Sequence, residues 1–123
     1  MKTLLLSALL FTGNVIHNDH LINTNWVSKV ANKYTESFNL RENNYVVHYN
    51  KLSEHTYRGC YSISKDTLII KERDDTQGAA TYHRIKFLMR ENRLHFYINE
   101  DMVNHHWSKS KVQASRNCMF TKV

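Results

Sequence analysis

Eight histidines in 123 residues are the first place to look for chemistry, since imidazole titrates near neutrality and binds metals through either ring nitrogen. His105 and His106 are adjacent, so they oppose each other on a strand and diverge on a helix. His83 shares its register with Ile85 and Phe87, whereas His95 points away from Phe96. A small basic hydrolase working with two imidazoles and a lysine would draw on His83, His95 and Lys86. Nothing flanking these residues supports that use. Crossing strands could gather His48, His55 or His95 on an outer face, but solvated surface histidines are the simpler reading. Serines occur without a nucleophile elbow, and the three glycines are too few for a phosphate cradle. The sequence therefore predicts no catalytic residue, no metal ligand and no cofactor: a protein that is not an enzyme.

Sulfur raises a second question. "TYRGCYSISKDTLIIKE" sets Cys60 on the face of its strand opposite Tyr57, Tyr61 and Ile63, and the other cysteine is Cys118 near the end. The start, "MKTLLLSALLFTG", follows Lys2 with an apolar run from Leu4 to Phe11, of secretory length and too short to span a bilayer. We read residues 1–18 as a signal peptide and 19–123 as the mature β domain, secreted or periplasmic, with cleavage between Thr12 and Asp19. About 105 residues then remain, enough for one small core but short for independent stability without help. In an exported chain an even cysteine pair predicts a Cys60–Cys118 disulfide tying the tail to the outer wall, whereas a thiol nucleophile or zinc pair lacks the neighbours it would need.

Charge narrows the partners. Seventeen Lys and Arg against eleven Asp and Glu give a net charge of +6, and no acid follows Asp101. Such a tail could meet an anionic surface, although a solvated face explains it more simply. No nucleic-acid-binding motif occurs, and arginines are not interleaved with stacking aromatics.

These residues must be positioned by strands. "NTNWVSKVANKY" fits a short helix capped by Thr24, with Ile22, Trp26, Val30 and Tyr34 in step, or equally a first strand through Trp26 and Val27. From Glu36 the period is two. "ESFNL", "YVVHY", "TYRGCYSI", "TLIIKER", "TYHRIKFLM" and "LHFYI" are six short strands separated by turn residues. Asn43 and Asn44 suit a turn needing positive φ, "SKD" is a tight turn, and "DDTQGAA" is a longer polar loop. The alternation places Tyr45, Val47 and Tyr49 on one face with His48 opposite, and aligns Leu94, Phe96 and Ile98. A meander with one apolar face must curl closed or be covered, and Gly59 is a natural place for sharp coiling. The fold class is mainly β, an antiparallel up-and-down meander closing into a barrel or half-barrel; the tail beyond His106 adds a strand or covers an open end.

With Trp26 upstream, the hairpin residues Gly59, Tyr61, Ile63, Asp66, Thr67, Leu68 and Ile70 fit a "G-x-Y-x-I-x-x-D-T-L-x-I" pattern, and Asn92, Leu94 and Phe96 fit the next hairpin. In these segments the chain resembles small secreted bacterial lipocalin-like domains, with Asn25 where a glycine usually precedes the tryptophan. The resemblance covers Phe38 to Ile98 and implies a non-catalytic binding or envelope role; the chain is expected to be a monomer. Tyr45, Tyr49, Tyr57, Tyr61 and Phe87 would line the interior, as a packed core or as a pocket for a small apolar ligand. The other reading is a protein partner held at the "ERDDTQGAA" loop or a sheet edge. An interior of a few hundred cubic ångströms would separate the two.

Overall fold

The computed structural model describes residues 20–30, 33–75, 78–114 and 118–123; the leader assigned to 1–18 lies outside them. Among the described residues nine strands follow in order: β1 Thr24–Val30, β2 Lys33–Leu40, β3 Tyr45–Asn50, β4 His55–Ser64, β5 Thr67–Asp74, β6 Thr81–Arg90, β7 Arg93–Val103, β8 His106–Lys109 and β9 Met119–Lys122. Strands β1 to β7 pair consecutively and antiparallel, and β9 inserts between β7 and β1. The result is a closed eight-stranded up-and-down barrel of the mainly-β, lipocalin-like kind, with β8 as one extra strand on β7. Among the described residues no helix is long and apolar enough to cross a membrane.

The stretch that fitted helix or strand is strand β1, because its apolar residues have a sheet to join. Trp26 is buried opposite Phe38, and Thr24 acts as a local clamp rather than a helix cap. Its hydroxyl donates to the Leu21 carbonyl (2.6 Å) and accepts from Trp26 Nε1 (2.9 Å). Turn chemistry follows the residue types. Asn43 and Asn44 take φ near +59° and +58° between β2 and β3, where asparagine tolerates the left-handed region.

Gly59 allows β4 and β5 to close on each other. A Cβ built there would stand 1.9 Å from the Lys71 carbonyl oxygen, so no side chain fits without moving backbone. Two irregularities re-aim side chains. Between β1 and β2 the register skips Thr35, and between β6 and β7 it skips Tyr97. In the second, Phe87 pairs with Phe96 but Lys86 pairs with Ile98. The extra residue, Tyr97, stands out into water, and the inward set changes from Leu94 and Phe96 to Asn99 and Asp101. Ile98 therefore shares the outer face with Lys86, not the core line with Phe96 that plain alternation predicts.

The cysteines correct the disulfide expectation: both are free thiols. Cys60 faces outward on β4, and Cys118 packs inward against the core just before β9. β3, β2 and β1 stand between their strands, at about 4.8 Å per step, so a bond needing Cα atoms within about 7 Å cannot form. The tail is fastened by other means. Phe120 is buried in the core, Val123 N–H donates to the Asn25 carbonyl (2.9 Å), and Lys122 N–H donates to that of Asn92 (3.1 Å).

Candidate functional site

Along the inner wall the side chains change character. At one end Leu40, Val46, Leu68, Ile70 and Leu94 are fully buried and pack together as the core. Above them Phe38, Phe87 and Phe120 form a mutual ring cluster, with centroids 4.9 to 5.5 Å apart. Above the rings the lumen opens into a cavity of about 540 Å³. Its wall carries Glu36, His48, Asn50, Tyr57, Asp74, His83, Asn99 and Asp101.

The strand register sets this wall. β2 turns Glu36, Phe38 and Leu40 inward; β3 turns Asn50, His48 and Val46; β5 turns Asp74, Glu72, Ile70 and Leu68. Each strand is thus apolar at its floor end and polar at its mouth end. Glu72 pairs with His83 across β5–β6, and His83 with Asp101 across β6–β7, so one acid–imidazole–acid row crosses three strands.

At its centre is a buried ion-pair chain. His48 is 5% exposed and Glu72 only 1%. His48 Nε2 donates to Glu36 Oε2 at 2.8 Å, and Nδ1 donates to Glu72 Oε2 at 3.0 Å while lying 2.9 Å from Oε1. His83 Nε2 adds a contact of 3.2 Å to the Glu72 carboxylate. The His48 ring stacks on Phe38 at 4.2 Å and faces Tyr57 at 5.3 Å. Burial alone would discharge this ring, but the hydrogen bonds to Glu36 and Glu72 outweigh it and raise its pKa to about 9. His48 is therefore an imidazolium at neutral pH, held with both N–H groups committed. For Glu72 burial favours protonation, yet the bonds from His48 and then His83 hold its carboxyl below the usual range.

Neighbouring groups register the same field. Burial pushes the Tyr57 phenol up, with Asp74, Glu72 and Glu36 adding to it. Burial likewise raises the Cys118 thiol, helped by the charge on Glu36.

Of the residues expected to line the interior, Tyr57 borders the cavity, Phe87 belongs to the ring cluster beneath it, and Tyr61 is buried in the apolar core. Tyr45 and Tyr49 are on the outside. Tyr45 Oη accepts from Arg58 Nη1 (2.7 Å), and Tyr49 is 40% exposed. The pairings Leu40–Val46 and Phe38–His48 set the face of β3, so His48 enters and the tyrosines leave. A tyrosine is more apolar than a histidine, which is why alternation alone picked the wrong face; the missing term was a buried carboxylate on β5 to receive the imidazole. His83 does face the lumen, but Lys86 is outside, ion-paired with Glu100 at 3.4 Å, and the hydrolase set does not assemble. His48 is not on an outer face with His55 and His95. Glu72 lies in the strand expected for it, whereas Asp74, expected in the following loop, also belongs to β5; residues 76–77 of that loop lie outside the described ones.

The segment after β8 covers one side of the mouth. Gln113 Nε2 donates to the carbonyls of Asn99 (2.8 Å) and Ser110 (2.6 Å), and its Oε1 accepts from Asn99 N–H (2.9 Å). Val112, Gln113 and Ala114 thereby become part of the wall. Outside the barrel, a second recess of about 480 Å³ lies between Cys60 and Trp107, whose ring carries the Arg84 guanidinium at 4.5 Å. Among the described residues no group of three or more His, Cys, Asp or Glu has the arrangement of a metal site. Comparison with protein-family models, with curated proteins and with solved structures finds no match to this chain.

Proposed function

We propose that this chain is an exported, non-catalytic binding protein that holds a small organic molecule in the lumen of its lipocalin-like barrel. The observation that carries this reading is the cavity itself. About 540 Å³, with a phenylalanine floor and a polar wall, is the size and make-up of a small-molecule site. A barrel serving only as a scaffold for loops would gain stability by filling that space.

The polar wall supports binding over turnover. Its strongest acid–base candidates hold each other: His48 has no N–H left to give, and Glu72 is sealed behind it. Such a pair supplies fixed charge and shape rather than a proton that moves. Export rests on Lys2 and the run from Leu4 to Phe11.

Native mass spectrometry of the protein taken from its own cells tests the reading, with a neutral fluorescent probe such as N-phenyl-1-naphthylamine as the second measurement. A bound mass lost on denaturation is expected, together with probe binding that Asn50→Trp, filling the lumen from its wall, abolishes. A chain that carries nothing and leaves the probe in water would overturn it, and so would a variant that binds the probe as well as the parent.

A further inference from the structure

Strand β8 is not needed to close the barrel, which is complete without it. What it does is set Trp107 on the outer wall. Trp107 stands opposite Met102 across β7–β8, and its ring lies 4.5 Å from the Arg84 guanidinium, which Glu100 Oε1 holds in turn at 2.8 Å. The ring is thereby fixed as one side of the recess of about 480 Å³. Met102, Tyr82, Cys60 and Gly59 continue the lining, which among the described residues comes wholly from strands β4 to β8. Glu72 borders it too, but its carboxylate is turned to the other side of the wall, toward His48.

The cations around this recess are arranged against their own repulsion. Arg58, Lys71 and Arg73 border it and are exposed. The register sets Arg58 directly opposite Arg73 across β4–β5, and Lys71 directly opposite Arg84 across β5–β6. Like charges placed so destabilise a sheet, and an anion between them relieves it. Arg84 has Glu100, whereas among the described residues Arg58, Lys71 and Arg73 form no ion pair. Arg58 Nη1 donates to Tyr45 Oη at 2.7 Å, a neutral acceptor that leaves its charge in place. One carboxylate, Asp75, borders the adjoining shallow recess with Thr56, Arg58 and Arg73. The cations still outnumber it. The accessible lining itself is almost wholly apolar, so the three side chains give the recess their hydrocarbon stems and keep their charges at its rim.

We propose that this outer recess is a second binding site, for a small amphiphilic anion: a carboxylate, sulfonate or phosphate group at the rim beside Arg58, Lys71 and Arg73, with its apolar body between Trp107, Met102 and Cys60. An apolar hollow rimmed by one sign of charge complements a molecule that carries both features. Its concavity selects a single molecule over a bilayer, which as a flat surface would meet only the rim. The site lies outside the barrel wall and does not depend on the lumen reading.

The test uses 8-anilinonaphthalene-1-sulfonate, which is N-phenyl-1-naphthylamine with one sulfonate added, so the two probes share a body and differ in charge. The anionic probe is expected to bind the full chain, and decanoate to displace it about tenfold better than decanol does. Arg73→Gln should weaken it about fivefold and leave the neutral probe unaffected, and raised salt should weaken it too. Asn50→Trp, which fills the lumen, should leave it bound. At saturation it should slow the reaction of Cys60 with uncharged N-ethylmaleimide several-fold and leave Cys118 unchanged. The chain should stay in solution when phosphatidylglycerol vesicles are sedimented. An anionic probe that Asn50→Trp abolishes, or that protects Cys118 in place of Cys60, has entered the lumen, and the outer site fails. Equal affinity in Arg73→Gln and the parent overturns recognition of the anion. A chain that sediments with the vesicles and gives up the probe to them makes this face a bilayer contact, and the proposal falls.

Discussion

Below the Phe38–Phe87–Phe120 rings the inward positions of β2, β3 and β5 are Leu40, Val46, Ile70 and Leu68; above the rings the same three strands turn in Glu36, His48 and Glu72. The two halves are buried by different physics. The lower half is additive: each side chain removes hydrocarbon from water, and losing one costs its own transfer and cavity terms. The upper half is conditional. Its charges are tolerable only as a set, because each offsets the desolvation of its neighbour. One strand can thus serve as core at one end and as site at the other, with the change of sign made within two residues.

Removing one member of the upper set should have the largest effect. His48→Leu leaves the buried Glu72 with only the longer His83 contact, and is expected to lower unfolding free energy by about 3–5 kcal/mol at neutral pH. Adding Glu72→Leu should return much of the loss, since the uncompensated charge goes with it. Chemical denaturation of the parent, the single variant and the double variant measures this. A double variant as unstable as the single one would show that His48 acts by its shape alone.

The lower half should respond differently. Phe87→Ala is expected to cost about 3 kcal/mol, toward the low end for such a truncation because the space left can merge with the open lumen. Its cost should be the same at pH 6 and pH 10, whereas that of His48→Leu should shrink at the higher pH. Parallel pH profiles for the two variants would erase the distinction between the halves.

How far the sequence reveals this division depends on the interaction involved. Strands show in it because alternation is local: Phe38 and Leu40, Leu68 and Ile70, and Ile85 and Phe87 each mark a face within one segment. Turns show for the same reason, as at Asn43 and Asn44. What stays hidden is set by partners distant in the chain. His48 is inward because of Glu36, twelve residues before it, and Glu72, twenty-four after it, and neither relation has a local pattern. Tyr97 produces a bulge that no periodicity announces, and it sends Asn99 and Asp101 into the lumen in place of Ile98, which plain alternation keeps in line with Leu94 and Phe96. The cysteines mislead in the opposite direction. Their even number suggests a bond, but the number of intervening strands is a property of the closed barrel.

Titration sharpens the contrast without a mutation. His48 has a folded pKa of about 9 against 6.5 for the free side chain, so its contribution is fully present below about pH 6.5 and is lost as pH rises through 9. The shift corresponds to about 3 kcal/mol at most. Glu72 works on the other side: its depressed pKa supplies stability above the ordinary carboxylate range that is lost in acid as the group protonates. Subtracting the profile of the His48→Leu/Glu72→Leu protein from that of the parent isolates both limbs from the titration of surface groups. A difference curve flat from pH 6 to pH 10 would mean that His48 has the same pKa in the folded barrel as in the unfolded chain.

The smallest effect is also the most direct probe of inside against outside, because each face holds one thiol. Cys60 stands on the outer wall of β4; Cys118 faces the lumen, with burial and the Glu36 charge both raising its pKa. Only the thiolate attacks a disulfide reagent, so access and ionisation slow Cys118 together. Titration with such a reagent under denaturing, non-reducing conditions should count two thiols. In the native protein one should react promptly and the other about tenfold or more slowly. Cys60→Ser should remove the fast phase and change stability by less than about 0.5 kcal/mol, with the tail still held by Phe120 and the Gln113–Asn99 bonds. Cys118 should react faster in His48→Leu, where the upper half has lost its central partner, but hardly faster in Phe87→Ala at equal residual stability. Equal acceleration in both would mean that the reagent reaches Cys118 by global unfolding, and that the upper half does not open independently of the lower.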